Sequence, residues 1–101
     1  MDIRINETND VVTIAVSGDI EMMSIKDFKT KLFEVGENTY KDVDIDLSNV
    51  EYIDSSGVGV LITLLKRQKS KGKTLNISKV SPKVMNVLKL SSLSDVFNLS
   101  V

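Results

Sequence analysis

The segment from Asp54 to Gly59, Asp-Ser-Ser-Gly-Val-Gly, joins an alternating strand pattern to an apolar helical run and constrains the fold more than any other. Before it, Val43, Ile45 and Leu47 alternate with aspartates, and after it residues 60–65 are almost entirely apolar. A strand that leads directly into a buried helix is typical of α/β proteins. The start of a helix also leaves backbone N–H groups unpaired and tolerates an anion. A serine there has three interpretations: a helix cap, a nucleophile or a phosphorylation site.

Alternation with a period of two predicts four or five strands. Four of them cover residues 2–6, 12–16, 43–47 and 74–78, and a short further strand is predicted near Val96–Leu99. Asn9 and Asp10 predict a hairpin turn between the first two strands. Because the second face of the strands carries Asp, Arg, Asn and Thr, we expect one face of the sheet to be solvated and the helices to lie mostly on the other.

Three helices are predicted from apolar residues at helical spacing and from their end signals. The first runs from about Ser24, its N-cap, to about residue 35, with Gly36 as its stop. The second begins at residue 55 or 56 and ends near 72, and the third begins at residues 81–82, with proline in the first helical position. The order β-β-α-β-α-β-α-β predicts an α/β fold with a mixed four- to five-stranded sheet and three or more helices.

Composition narrows the chemistry. The chain has 101 residues, a net charge of −1, no cysteine and no histidine. The length predicts one domain, residues 1–101. Without cysteine and histidine there is no disulfide or thiolate site, and the commonest metal ligand and general base are missing. We therefore expect no metal, no cofactor, no direct nucleic-acid binding and no membrane insertion, and, without a visible export signal, a cytoplasmic protein.

The three interpretations of the serine turn require different partners. A cap needs one side-chain acceptor, which Asp54 or Ser55 could supply. A catalytic serine needs a general base within hydrogen-bonding reach, so the absence of histidine and of a Gly-x-Ser-x-Gly motif disfavours a hydrolase. Gly57 and Gly59 each reduce helix stability by roughly 0.8–1 kcal/mol relative to alanine. Two glycines in a first helical turn, despite this loss of stability, indicate a backbone that another surface approaches closely.

Three other clusters have structural interpretations beside functional ones. The aspartates of residues 42–46 lack the glycine and glutamate of a calcium loop and are interpreted as the solvated face of a strand. The basic residues between 66 and 73 suit the C-terminal end of a helix, or a partner contact. Met22 and Met23 could fill gaps in the core, but two adjacent methionines rarely both point inward, and an exposed methionine suits a protein interface.

The chain resembles the STAS domains, and most closely the small free-standing anti-sigma factor antagonists of bacteria. The resemblance spans nearly the whole chain and is carried by residues 16–21, 43–48, 52–61, 77–84 and 90–93. Its most specific motif is the Asp-Ser-Ser-Gly-apolar-Gly segment at 54–59. The chain departs from the family at Glu21, where aspartate is usual, and at Ser92, where glycine is common.

The resemblance implies a phosphorylation-regulated binding module and not an enzyme. In the family, the serine just before the glycine is phosphorylated by a cognate serine kinase, often the anti-sigma factor itself, and that serine is Ser56 here. The unmodified form is expected to bind the anti-sigma factor and so free a sigma factor, and a serine phosphatase is expected to reset the phosphorylated form. The expected partner-binding residues are Glu21, Met22, Met23, Ser24, Asp54, Ser55, Gly57 and Val58.

Two other roles in the family stay open. STAS domains also serve as subunits of membrane transporters, a role that does not require phosphorylation. A third role is the sensing of a nucleotide or another small ligand, although the chain has no phosphate-binding loop of the Gly-x-x-x-x-Gly-Lys-Ser/Thr kind. The intact Ser56 favours the phosphorylation switch.

Overall fold

Four strands form one mixed sheet in the structure, a computed structural model that describes residues 1–90. In chain order the elements are β1 (Asp2–Glu7), β2 (Val11–Ser17), α1 (Ile25–Asn38), β3 (Asp42–Asn49), α2 (Ser55–Ser70), β4 (Leu75–Val80) and α3 (Pro82–Leu90). The strands lie side by side in the order β1-β2-β3-β4. This is the α/β fold with a mixed sheet that the sequence predicts. The strand predicted near Val96–Leu99 lies outside the described residues.

The direction of each strand follows from the length of its connection. A tight turn joins β1 to β2, with the Thr8 N–H donating to the Val11 carbonyl at 2.9 Å, and the two strands are antiparallel. The hairpin predicted at Asn9 and Asp10 is therefore confirmed. β2 and β3 are parallel, as are β3 and β4, because α1 and α2 carry the chain back to the same end of the sheet.

The core lies on one face of the sheet. Every second residue of β2 and β3 is buried, and the residues between them are mostly half-buried. The three helices contribute side chains to the same buried cluster, including Phe28, Leu32, Leu61, Leu64, Val84 and Leu88. The aspartates of residues 42–46 lie on the opposite face.

The predicted end of the first helix is wrong. Gly36 does not stop α1, which continues to Asn38, and Gly36 is buried. A Cβ at Gly36 would stand 2.7 Å from Leu64 Cδ1, so the glycine permits close packing of α1 against α2. Lys71 then takes the role of a C-terminal cap, since its ammonium donates to the carbonyls of Gly36 and Thr39 at the end of α1. One of the basic residues at the end of α2 thus pairs backbone carbonyls at the end of another helix.

Gly57 and Gly59 offer a matched pair of substitutions in α2. A Cβ at Gly57 would stand 2.5 Å from Ile20 Cγ2 and 2.8 Å from Ile53 Cγ1, whereas one at Gly59 would meet nothing within 4 Å. We expect Gly57→Ala to lower the free energy of unfolding by about 1–3 kcal/mol through overpacking. Gly59→Ala should raise it by up to about 1 kcal/mol through helix propensity. Urea unfolding measures both values, and equal effects would contradict the packing explanation.

Candidate functional site

Two loops lie side by side where the parallel strands β2 and β3 end. The loop after β2 meets the loop after β3 through a parallel bridge between Ile20 and Ile53. The Ile20 N–H donates to the Tyr52 carbonyl at 2.9 Å, and the Asp54 N–H donates to the Ile20 carbonyl at 3.0 Å. Ile20 and Ile53 are both buried, which anchors the two loops to the core. The carboxyl ends of parallel strands are a common position for binding sites in open α/β sheets.

Asp54 is the N-cap of α2. Its Oδ1 accepts hydrogen bonds from the backbone N–H groups of Ser56 at 3.0 Å and Gly57 at 3.2 Å. The backbone of Asp54 is extended, as is usual for an N-cap residue. The cap that the sequence assigns to either Asp54 or Ser55 therefore belongs to the aspartate. Neither Ser55 nor Ser56 is needed to satisfy the helix end, and both serines are exposed.

The Ser56 hydroxyl is held by the same carboxylate. Its Oγ donates to Asp54 Oδ1 at 2.5 Å. This hydrogen bond is the largest cause of a lowered pKa at Asp54. Desolvation by burial opposes it, and hydrogen bonds from the N–H groups of Gly57, Ser56 and Met22 also lower the pKa. A carboxylate with a lowered pKa is a weaker general base, so Asp54 orients the hydroxyl but activates it poorly as a nucleophile. The geometry thus disfavours a serine hydrolase.

The loop before α1 presents two methionines beside this turn. Met22 is 80% exposed and Met23 is 89% exposed, so neither fills the core. The Ser24 hydroxyl braces the loop by donating to the Asp19 carbonyl at 2.6 Å and accepting from the Glu21 N–H at 3.2 Å. Ser24 occupies the predicted N-cap position of α1, but its side chain makes no capping hydrogen bond to that helix. Met22 and Asp54 are neighbours, since the Met22 N–H contributes to the lowered pKa of Asp54.

Two of the residues predicted to bind a partner are turned into the core. Gly57 is buried against Ile20 and Ile53, and Val58 is only 9% exposed. The close approach for which the sequence selects glycine at position 57 is therefore made by the protein's own core and not by a partner. We therefore remove Gly57 and Val58 from the expected contact surface. Glu21, Ser24 and Asp54 are half-buried, and Met22, Met23 and Ser55 are exposed beside Ser56.

A groove between α1 and α2 opens next to Ser56. It encloses about 510 Å³ and is lined by Ile25, Lys29 and Phe33 of α1 and by Ser56, Gly59 and Thr63 of α2, among others. The Arg67 guanidinium lies 4.2 Å from the centre of the Phe33 ring, and the Lys29 ammonium lies 5.8 Å from it. We call this feature the α1–α2 groove. The sequence offers no local signal for it, because the groove depends on which faces of two separate helices meet.

Residues 1–90 give little support for a metal site or a membrane-spanning helix. Within residues 1–90, no group of three or more acidic side chains is placed to hold a metal ion. None of the helices between residues 1 and 90 has the length and apolar character needed to cross a membrane. The Asp46 side chain, on the solvated face of the sheet, accepts from the Ser48 N–H and hydroxyl, and Asp42 accepts from the Thr74 N–H. These hydrogen bonds give two of the three aspartates of β3 a structural role.

Comparison with known proteins identifies the family. A family profile described as "Mlab, STAS domain" matches residues 3–99. The chain belongs to the STAS family. This STAS domain is 30% identical over 100 residues to an anti-sigma-B factor antagonist of Bacillus subtilis strain 168, and the match covers 99% of the chain and 89% of the relative. The resemblance to the anti-sigma factor antagonists that the sequence motifs indicate is thereby confirmed.

Solved structures show that the fold is shared. The anti-sigma factor antagonist SpoIIAA in its unphosphorylated form superposes with a TM-score of 0.80 at 18% identity, covering 93% of this STAS domain and 84% of that chain. The phosphorylated form of SpoIIAA, from Bacillus, gives a TM-score of 0.73 at 17% identity, covering 93% and 86%. At these identities the likeness is one of fold.

The hydrogen bond between Ser56 and Asp54 makes a direct prediction for this STAS domain. Ser56→Ala removes the hydroxyl that contributes most to the lowered pKa of Asp54, so we expect that pKa to rise toward its ordinary value. Ser55→Ala, which changes the neighbouring exposed serine, should leave it unchanged. A carboxyl ¹³C NMR titration measures the pKa in each variant. An unchanged pKa in Ser56→Ala would show that the hydroxyl does not bind the carboxylate in solution.

The same pKa has a consequence for stability. An aspartate whose pKa is lowered by folding stabilises the protein above its unfolded pKa of about 3.9, and this contribution is lost as the pH falls through the folded value. We therefore expect Asp54 to contribute less to stability in Ser56→Ala than in the wild type at pH values above about 3.9. The difference should vanish once the pH falls below the folded pKa of Asp54.

Proposed function

We propose that this STAS domain is an anti-sigma factor antagonist whose binding is controlled by phosphorylation of Ser56. One observation carries the proposal: the Ser56 hydroxyl is exposed at the start of α2, while Asp54 caps the helix in its place. Esterification of Ser56 therefore removes no backbone cap. Membership of the STAS family and the Bacillus subtilis relative support the general role. A protein of the same fold, SpoIIAA, has been solved with and without phosphorylation.

The proposed partner is an anti-sigma factor that is also a serine kinase. It binds the unmodified domain over the exposed turn at Ser55 and Ser56 and over the two methionines of the preceding loop. Exposed methionines adapt their shape to a partner surface at low cost, and they bring apolar area that is otherwise in water. In the bound state the kinase transfers the γ-phosphoryl group of ATP to Ser56 Oγ, the hydroxyl proton leaves, and ADP is released.

Phosphorylation releases the partner by a local electrostatic change. The phosphate adds about −1.5 to −2 charges at pH 7 and three acceptor oxygens. It also removes the donor that Ser56 gives to Asp54 at 2.5 Å, so two anionic groups then stand together where one neutral hydroxyl and one carboxylate stood. Burying that charge under a partner is unfavourable unless the partner supplies cations. A serine phosphatase hydrolyses the ester and restores binding.

Substitution of Ser56 tests the switch. We expect Ser56→Asp to abolish capture of the anti-sigma factor in a pull-down from lysate read by mass spectrometry, because it places a second carboxylate beside Asp54. Ser55→Asp is the matched control, since it adds the same charge one residue earlier, and it should weaken binding less. Phosphopeptide mapping should find phosphate at position 56 in the wild type and none in Ser56→Ala. Circular dichroism should stay native in all variants.

The outcomes separate the proposed function from its rival. Retained binding by Ser56→Asp, or phosphate at a serine other than Ser56, would contradict the phosphorylation switch. Capture of a membrane transporter by all variants alike would favour the transporter-subunit role.

The methionine loop gives a second test. The double substitution Met22→Ala, Met23→Ala should weaken binding of the anti-sigma factor about tenfold or more, as expected when an interface loses about 1.4 kcal/mol. Its stability should stay within about 0.5 kcal/mol of the wild type, because both side chains are exposed. Tyr40→Ala is the control: Tyr40 is 75% exposed but lies beyond the far end of α1, about 20 Å away by the rise of a 14-residue helix. Calorimetry measures the affinity of the wild type, the double methionine variant and Tyr40→Ala for the anti-sigma factor. Equal losses of affinity in the two variants would exclude a specific contact at the methionine loop.

A further inference from the structure

Several N–H donors at the start of α2 are already used and are not available to a phosphate. Helix N-termini bind phosphate because their first N–H groups are unpaired. Here the N–H groups of Ser56 and Gly57 already donate to the Asp54 carboxylate, and the Val58 N–H donates to the Asp54 carbonyl at 3.1 Å. To receive the N–H groups of Ser56 and Gly57, a phosphate on Ser56 would have to displace the Asp54 carboxylate. The anion that the start of this helix tolerates is therefore already supplied by the Asp54 carboxylate of the same chain.

Phosphorylation also reverses the attraction between Ser56 and Asp54. The hydroxyl now donates to Oδ1 at 2.5 Å, which fixes the side chain toward the cap. A phosphate ester has no such proton at Oγ, and its charge repels the carboxylate. A serine side chain has three staggered positions, so the group can rotate away from Asp54 without moving the backbone. Ser56 lines the α1–α2 groove, which is an open side of the turn.

The α1–α2 groove supplies the cation that the helix end cannot. Among its lining residues within the described part of the chain, Lys29 is charged and none is acidic. The Lys29 ammonium lies 5.8 Å from the Phe33 ring centre, and the ion pairs found within residues 1–90 join Arg4 to Asp2 and Lys41 to Glu7, so neither uses Lys29. Arg67 on the same ring adds positive potential to the groove. Arg and Lys beside a phosphate form charge-assisted hydrogen bonds that are stronger than a contact with an aromatic face.

We infer that Lys29 of α1 holds the phosphate of phosphorylated Ser56 across the α1–α2 groove, leaving Asp54 on the cap of α2. The inference deepens the proposed function and rests on its assignment of the phosphate to Ser56. Lys29 is a positioning residue for the phosphorylated state. The phosphate then occupies the groove beside the methionine loop. Because one lysine offsets only part of a charge of about −1.5 to −2, the surface offered to a partner is filled and still anionic.

Phosphoserine placed at position 56 during translation provides the test, because it needs no kinase. A lysine that pairs with the phosphate stabilises the dianion and lowers its second pKa below the usual value of about 6. We expect Lys29→Gln to raise that pKa by about 1 in a ³¹P NMR titration. Lys31→Gln is the matched control, since Lys31 is exposed on the same helix but lines a separate cavity near β1. It should leave the pKa almost unchanged.

A second readout locates the phosphate. Amide chemical shifts of the phosphorylated wild type should differ from those of the unmodified protein at Phe33 and Gly59, and these differences should shrink in Lys29→Gln. Equal pKa values in the wild type and Lys29→Gln, or equal changes in Lys29→Gln and Lys31→Gln, would overturn the inference. Neither result bears on whether a kinase modifies Ser56 or whether a partner binds, so the proposed function fails or holds by its own pull-down and phosphopeptide experiments.

Discussion

The Asp54 carboxylate holds the site together. One oxygen accepts two backbone N–H groups of α2 and the Ser56 hydroxyl, so the same atom ends the loop, starts the helix and orients the serine. A cap of this kind contributes about 0.5–2 kcal/mol to stability. Because the aspartate caps the helix, the proposed phosphorylation of Ser56 removes no capping hydrogen bond. Capping and the proposed modification fall to different side chains, so the proposal is compatible with a stable fold.

The core beneath the turn explains why the two loops keep their positions. Ile20 and Ile53 are buried and bridged, and Gly57 packs between them so closely that even a methyl group would clash. The loop of the exposed methionines and the serine turn therefore form one surface fixed from below. A partner that binds this surface meets an ordered backbone and adaptable side chains, a combination that limits the entropy lost on binding.

The sequence predicts local features of this protein well and contacts between distant residues poorly. Four strands follow from alternation, and the start of α2 follows from its cap, because both signals lie within a few residues. The end of α1 was not predictable in this way, since the fate of Gly36 depends on Leu64, which lies 28 positions later (64 − 36). Likewise, no pattern along the chain shows that Lys29 and Ser56 line one groove or that Gly57 faces inward while Gly59 faces outward. The predicted last strand and the Ser91–Leu93 motif lie outside the described residues.

The glycine near the C-terminal end of α1 has a consequence for the timing of the proposed switch. Gly36 allows α1 to pack closely against α2, and Lys71 joins the C-terminal ends of these two helices. The width of the space between α1 and α2 is therefore set by the unmodified fold. In the proposed switch, the phosphate would enter a groove whose width is already set, so the response would not depend on opening, hinge motion or refolding of the domain. The rate of the proposed switch would then be set by the serine kinase and the serine phosphatase. The domain itself would add no slow step and would be reused after each dephosphorylation.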